Sequence, residues 1–169
     1  DDACPSGCTG ATENGHVYVL CYQSAMSSRV TWAEAASRCA GSLSTAAGVT
    51  LELARVESPD ENEFLVEWIE DRNLQSGIWM GANDRDVDDS WSWGTGNARV
   101  VFFKDDMNGG DAVDDRFNDW GTNPPRPNGD TAMDPTEDCG HFDANISWRW
   151  NDAPCEAQPM PGYVCEQVD

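Results

Sequence analysis

RPNGDTAMDPTEDCGHFDANISWRWNDAPC, residues 126–155, is the stretch on which the rest of the chain turns. It opens on Arg126-Pro127-Asn128, passes through Glu137-Asp138-Cys139, and closes on Trp150-Asn151-Asp152-Ala153-Pro154-Cys155. Carboxylates and carboxamides are thus tied to two cysteines within an irregular segment. Oxygen donors aimed from several points of a loop suit a hard cation, calcium above all. An acidic, solvated surface loop is the other reading of the same composition.

The whole chain has 169 residues, enough for one domain with a substantial core, to which eight tryptophans contribute. Thirty-one acidic residues stand against ten basic ones, a formal charge of −21, and the only lysine is Lys104. That balance argues against nucleic acid or an anionic membrane surface as partner and for cations, in solution or on a mineral face. Seven cysteines without a Cys-x-x-Cys redox pair predict an oxidising, secreted and extracellular setting. Asn145-Ile146-Ser147 is an N-glycosylation acceptor pattern, in keeping with secretion. No apolar run has the length of a membrane span. The odd cysteine implies a free thiol or a bond to another chain.

Outward from the central stretch, His16 to Tyr22 reads as a strand, and either Cys4 or Cys8 is placed to close onto Cys21. Thr31-Trp32-Ala33-Glu34 is a capping box, followed by Trp32, Ala35, Ala36 and Cys39 at helical spacing. Residues 41–50 read as loop and 51–56 as a short strand. Ser58-Pro59-Asp60-Glu61 starts a second helix, with serine at the cap, proline in the first turn and acids at the positive end of the dipole. Ile78 to Ala82 predicts a buried strand, and Trp91-Ser92-Trp93 another, read with one tryptophan on each face. Residues 94–125 read mostly as loop, with a strand-like patch at Val100–Phe103. His141–Ile146, Trp148–Trp150 and Gly162–Glu166 are strand-like.

Taken in order, these features resemble the C-type lectin-like domain across nearly the whole chain. The resemblance rests on Cys21-Tyr22, the Trp32-to-Cys39 helix, Phe64-Leu65, Ile78-Trp79-Met80-Gly81-Ala82-Asn83-Asp84, Trp91-Ser92-Trp93, Phe117-Asn118-Asp119-Trp120, Glu137-Asp138-Cys139, Trp150-Asn151-Asp152 and the Cys155-to-Cys165 close. It implies an α+β fold, two helices flanking small antiparallel sheets with a long loop region, stapled by Cys39–Cys165 and Cys139–Cys155. A single domain over residues 1–169 follows, with 1–22 as the hairpin extension of the long form and 98–116 as an acidic loop insertion. In the long form the position of Cys8 usually holds tryptophan, so the partner of Cys21 stays open between Cys4 and Cys8.

The resemblance also supplies two ligand sets. The primary sugar site maps onto Asn128, Glu137, Asn151 and Asp152, but its first triplet position is Arg126, a permanent cation without a lone pair. Either Arg126 turns outward beside a weakened calcium site, or it turns inward to pair with Glu137 or Asp152 in place of the ion. An auxiliary calcium site maps onto Asp84, Asp88, Glu137 and Asp138, with Asp130 able to complete it.

An enzyme is not expected. His16 and His141 are the only histidines, and no metalloprotease helix, nucleophile elbow or phosphate-cradling glycine loop is present. The expected function is an extracellular, calcium-binding, glycan-binding domain with a modified primary site at Arg126-Pro127-Asn128. The alternative is an acidic matrix or biomineral-associated protein that uses the fold as a scaffold. Expected partners are glycans or a mineral surface, and a disulfide-linked homo-oligomer through Cys4 or Cys8.

Overall fold

The computed structural model describes residues 6–106, 109–128 and 136–169. Strands β1 (Cys8–Glu13) and β2 (His16–Tyr22) form an antiparallel hairpin. Asn14 and Gly15 turn it with φ of 50° and 87°, the left-handed pair that matches the twist of a two-residue hairpin. Cys8 lies directly opposite Cys21 in this ladder and is bonded to it, so Cys8 is the partner of Cys21. Cys4 lies outside the described residues.

Helix α1 (Trp32–Arg38) starts at the capping box: Thr31 Oγ1 accepts from Glu34 N at 3.2 Å, and Glu34 Oε2 accepts from Thr31 N at 2.8 Å. The chain then stays helical, through a wide turn over Cys39–Leu43 and helix α2 (Ser44–Ala47), until Gly48 ends it at φ 72°. The expected loop at 41–50 is therefore corrected up to Ala47. Leu43 is buried, and Ser44 Oγ both donates to the Cys39 carbonyl at 2.7 Å and accepts from Leu51 N at 2.8 Å. Tertiary anchoring overrides the weak helix preference of the small residues.

Strand β3 (Leu51–Leu53) is shorter than the expected 51–56. Its ladder stops because Arg55 N donates to the Glu166 carboxylate at 2.9 Å instead of to a strand carbonyl. Helix α3 (Pro59–Asp71) has Ser58 as cap, accepting from Glu61 N at 3.2 Å, and buries Asn62, Leu65 and Ile69.

Strands β4 (Gly77–Asn83), β5 (Ser90–Trp93), β6 (Val100–Lys104), β7 (Asp111–Ala112), β8 (Cys139–Asp143), β9 (Trp150–Ala153) and β10 (Gly162–Gln167) complete the elements. Their order is β1-β2-β10-β4-β5-β6-β7, with β3 on β10, and with β8 joining β4 to β9. Part of the 98–116 segment is thus sheet rather than loop. Trp148 is left-handed at φ 61° rather than extended, and a tight turn over Ala144–Ile146 follows β8.

Two apolar clusters fill the domain. One packs Trp32 and Trp79 around Cys39–Cys165 and Cys139–Cys155. The other gathers Trp91, Trp93, Phe102, Trp120, Phe142 and Trp150 beneath the long loop. Trp91 and Trp93 enter this cluster together, correcting the expectation of one on each face: residues two apart on a strand point the same way. Trp150 sits at its centre, within 6.0 Å of the Trp93, Phe102, Phe117 and Trp120 rings. Its indole N–H donates to Asn62 Oδ1 at 2.9 Å. Trp150→Ala is expected to cost about 3–5 kcal/mol, read as a lower urea midpoint.

A polar knot joins β2, β10 and α3. Tyr18 Oη donates to Glu61 Oε1 at 2.8 Å and lies 3.4 Å from Glu166 Oε1, while His16 Nδ1 lies 3.2 Å from the same Glu166 oxygen. Burial, then the charge of Glu61, push the Glu166 carboxyl up to about 7, against the opposing bonds from Arg55 N and His16. Burial also raises Glu61, opposed by the Glu57 N–H and the Tyr18 hydroxyl. A carboxyl raised on folding stabilises fully below its unfolded value and loses that contribution as pH climbs through the folded one. Stability from this knot is therefore expected to fall between about pH 4.5 and about 7. Glu166→Gln should flatten that slope, measured as urea midpoints at about pH 5 and about pH 8.

Candidate functional site

Strand β9 carries the site because its neighbours are fixed. Trp150 is locked into the core, and the Trp150 N–H donates to the Asp119 carbonyl at 2.9 Å. Asp119 in turn receives Asn62 Nδ2 at 3.1 Å and Arg149 Nη2 at 3.0 Å. Asn151 and Asp152 are therefore presented from a rigid strand rather than from a loop.

Asp152 is buried, and its Oδ2 accepts from the Asn128 backbone N–H at 2.8 Å. That bond pins the 126–128 turn to β9. The turn is fixed at its other end by Arg126 N, which donates to the Gly121 carbonyl at 2.8 Å. Arg126 turns inward, and its Nη1 donates to Asn128 Oδ1. The bond to Asn128 is one that neither expected arrangement named: the outward turn left the ion in place, and the inward one paired Arg126 with Glu137 or Asp152. The carboxamide oxygen that the resemblance assigns to calcium is occupied by a guanidinium. Arg126 Nε is buried without a hydrogen-bond partner.

Asn151 Nδ2 donates to Asp143 Oδ2 at 3.0 Å, and its Oδ1 is buried without a partner. Asp143 also accepts from Asn145 N at 2.8 Å and lies 3.7 Å from His141 Nε2. The His141 imidazole, followed by the Asn145 N–H and the Asn151 amide, outweighs burial and holds the Asp143 carboxyl below the ordinary range. His141 is itself buried, edge-on to Trp79 at 5.8 Å, and so is packed rather than open to a substrate.

The auxiliary set is only partly convergent. Asp84 is buried at the end of β4; its N–H donates to the Asp138 carbonyl at 3.1 Å, and its Oδ2 accepts from Asp89 N at 3.2 Å. Asp88 is exposed beside Asp138, whose carboxyl is raised by burial and by the Asp88 charge, offset by Arg85. Glu137 is half-buried, next to Asp138, and Asp130 lies outside the described residues. Among the described residues, no three acidic, histidine or cysteine side chains gather into a group able to hold a metal ion. The primary set does not fit calcium as it stands, since Asn128 Oδ1 and Asp152 Oδ2 are already bonded to donors of the chain itself.

Sequence reasoning missed Asp105 and Asp143 as site residues. Asp105 follows β6, and its N–H donates to the Asp89 carbonyl at 2.9 Å. Burial and the charges of Asp89 and Asp152, against a bond from the Asp106 N–H, push its carboxyl up to about 6. The acidic insertion therefore places a half-buried carboxyl beside the Asp89 turn. Asp143 was signalled by its position, a carboxylate closing an apolar strand just before the glycosylation pattern.

Three comparisons bear on this geometry. The family model described as "Lectin C-type domain" matches residues 28–167. A perlucin-like protein of Mytilus galloprovincialis is 27% identical over 135 residues, covering 79% of this chain and 68% of that protein. Among solved structures, the C-type lectin CEL-I from Cucumaria echinata superposes with a TM-score of 0.64 at 20% identity, covering 99% of both chains. The cow C-type carbohydrate-recognition domain of CD23, solved in the presence of an oligosaccharide, superposes at 0.63 with 21% identity, covering 98% of this chain and 96% of that one.

Proposed function

We propose, on the premise that this chain belongs to the C-type lectin domain family, that it is an extracellular binding domain recognising a neutral, hydroxyl-rich glycan through Arg126, Asn128, Asn151 and Asp152, with no calcium ion at that position. The observation that carries this reading is the Arg126–Asn128 bond, which ties a fixed positive charge to an oxygen that the resemblance assigns to calcium. A guanidinium supplies planar, always-charged donors, and a carboxylate or carboxamide oxygen that already accepts one bond keeps a second lone pair for a weak hydroxyl donor. Sugar hydroxyls both give and take hydrogen bonds, so such a mixed set can hold them directly. The chain's charge of −21 disfavours acidic glycans.

Oxygen donors for calcium remain at the auxiliary corner. A divalent ion there would relieve the repulsion between Asp88 and Asp138. Its role would be to stiffen the loop and not to touch the sugar. The two histidines take part in packing and in the Glu166 knot.

Glycan-affinity chromatography tests this. Retention on immobilised neutral glycans is expected to survive chelator, and Arg126→Ala is expected to weaken it by about tenfold, the loss of hydrogen bonds to a charged group. Release by chelator, or full retention of Arg126→Ala, sinks the reading. Arg126→Glu restores a carboxylate ligand, so calorimetry should find one calcium site more in this variant than in the parent. The charge of −21 favours a second reading, adsorption to a calcium-bearing mineral as a matrix protein. That version requires binding that falls steeply with salt while glycans are ignored.

A further inference from the structure

The turn that follows β8 holds a feature the glycan-binding reading leaves unused. Asn145 is the central residue of the Ala144–Ile146 turn and is exposed. Ser147, two residues on, is also exposed and left-handed at φ 59°. Ile146 between them leaves the Asn-x-Ser pattern intact. The turn is held by its backbone, through Asn145 N onto Asp143 Oδ1 at 2.8 Å, and the asparagine side chain reaches solvent. A side chain offered from a tight surface turn, with its hydroxyl partner equally open, is what a glycan-transferring enzyme needs.

The turn also borders the Arg126 face, on two independent counts. A methyl group built on Gly121 would lie 2.7 Å from Ile146 Cδ1 and 3.2 Å from Arg126 Cγ, so both side chains flank the same glycine. On the other side, the two oxygens of Asp143 hold Asn145 N and Asn151 Nδ2, so one carboxylate separates the turn from the site.

We infer that Asn145 is an N-glycosylation site whose attached glycan stands beside the Arg126 face and restricts it to ligands that can enter end-on. In the transfer, Asn145 Nδ2 attacks the anomeric carbon of a lipid-pyrophosphate-linked oligosaccharide. The new N–C bond forms as the C–O bond to pyrophosphate breaks, the bonding pair leaves with the pyrophosphate, and the amide proton passes to a base of the transferase. The attached chain is hydrophilic and bulky. It shields the flank of the site that borders Ile146. The restriction on ligands rests on the glycan-binding reading; the modification itself does not.

The test uses the full chain secreted from a eukaryotic host. Treatment with peptide N-glycosidase should remove mass and convert Asn145 to aspartate, read by peptide mapping, and both Asn145→Gln and Ser147→Ala should abolish the excess mass. Unmodified Asn145 in the secreted wild-type protein overturns the inference. In a second arm, glycosylated and enzyme-treated protein are compared on an immobilised polysaccharide and on a short soluble oligosaccharide. Removal should strengthen the polysaccharide interaction by about threefold or more and leave the oligosaccharide unchanged, because only the extended ligand meets the steric and ordering cost. Equal gain on both, or none on either, overturns the gating. If neither form binds any neutral glycan, the glycan-binding reading fails, and with it the gating, while the mass result still decides the modification.

Discussion

The burial of Trp150 is the constraint on which the ligand face depends. Its ring fills the centre of an aromatic cluster, and its indole N–H reaches Asn62 on α3, so β9 cannot slide or turn over. Each neighbour is then committed to a partner. Arg149 meets Asp119, Asn151 meets Asp143, and Asp152 pins the Asn128 backbone. These bonds let a stretch rich in polar groups lie against a dry core, where a polar atom left unpaired costs free energy. The core thus positions Asn151 and Asp152 directly, from a strand.

Much of the architecture was legible because its signals are local and strong. Thr31 with Glu34, and Ser58 with Pro59, are end-of-helix chemistry that acts over three residues, and both helices begin where those residues say. The run Ile78–Ala82 is apolar throughout, and all of β4 is buried. The errors fell where distant contacts decide. Residues 41–47 are small and weakly committed, and only Leu43 and Ser44, by meeting β3 and the first helix, keep them helical. Arg55 leaves the ladder because of a carboxylate 111 residues away, which no local pattern could announce.

The site was legible as residue types but not as partners. Arg126 was visible as the wrong charge in a ligand set, yet which oxygen it would take depended on side-chain reach across a turn. It takes Asn128, two residues on. Asp105 shows the converse: it belongs to an insertion that reads as solvated acid, and the pairing of β6 with β5 brings it onto the Asp89 carbonyl. Acidic composition alone therefore could not tell a solvated flap from a contributor to the face.

The covalent frame has a topological consequence of its own. The bond from Cys39 to Cys165 spans 126 residues and turns most of the chain into a closed ring, with the Cys139–Cys155 loop nested inside it. A single backbone cut anywhere between residues 39 and 165 leaves one molecule rather than two. The severed ends stay tethered near their original places, so the binding face can outlast an encounter with a protease that would dismember an unstapled domain of this size.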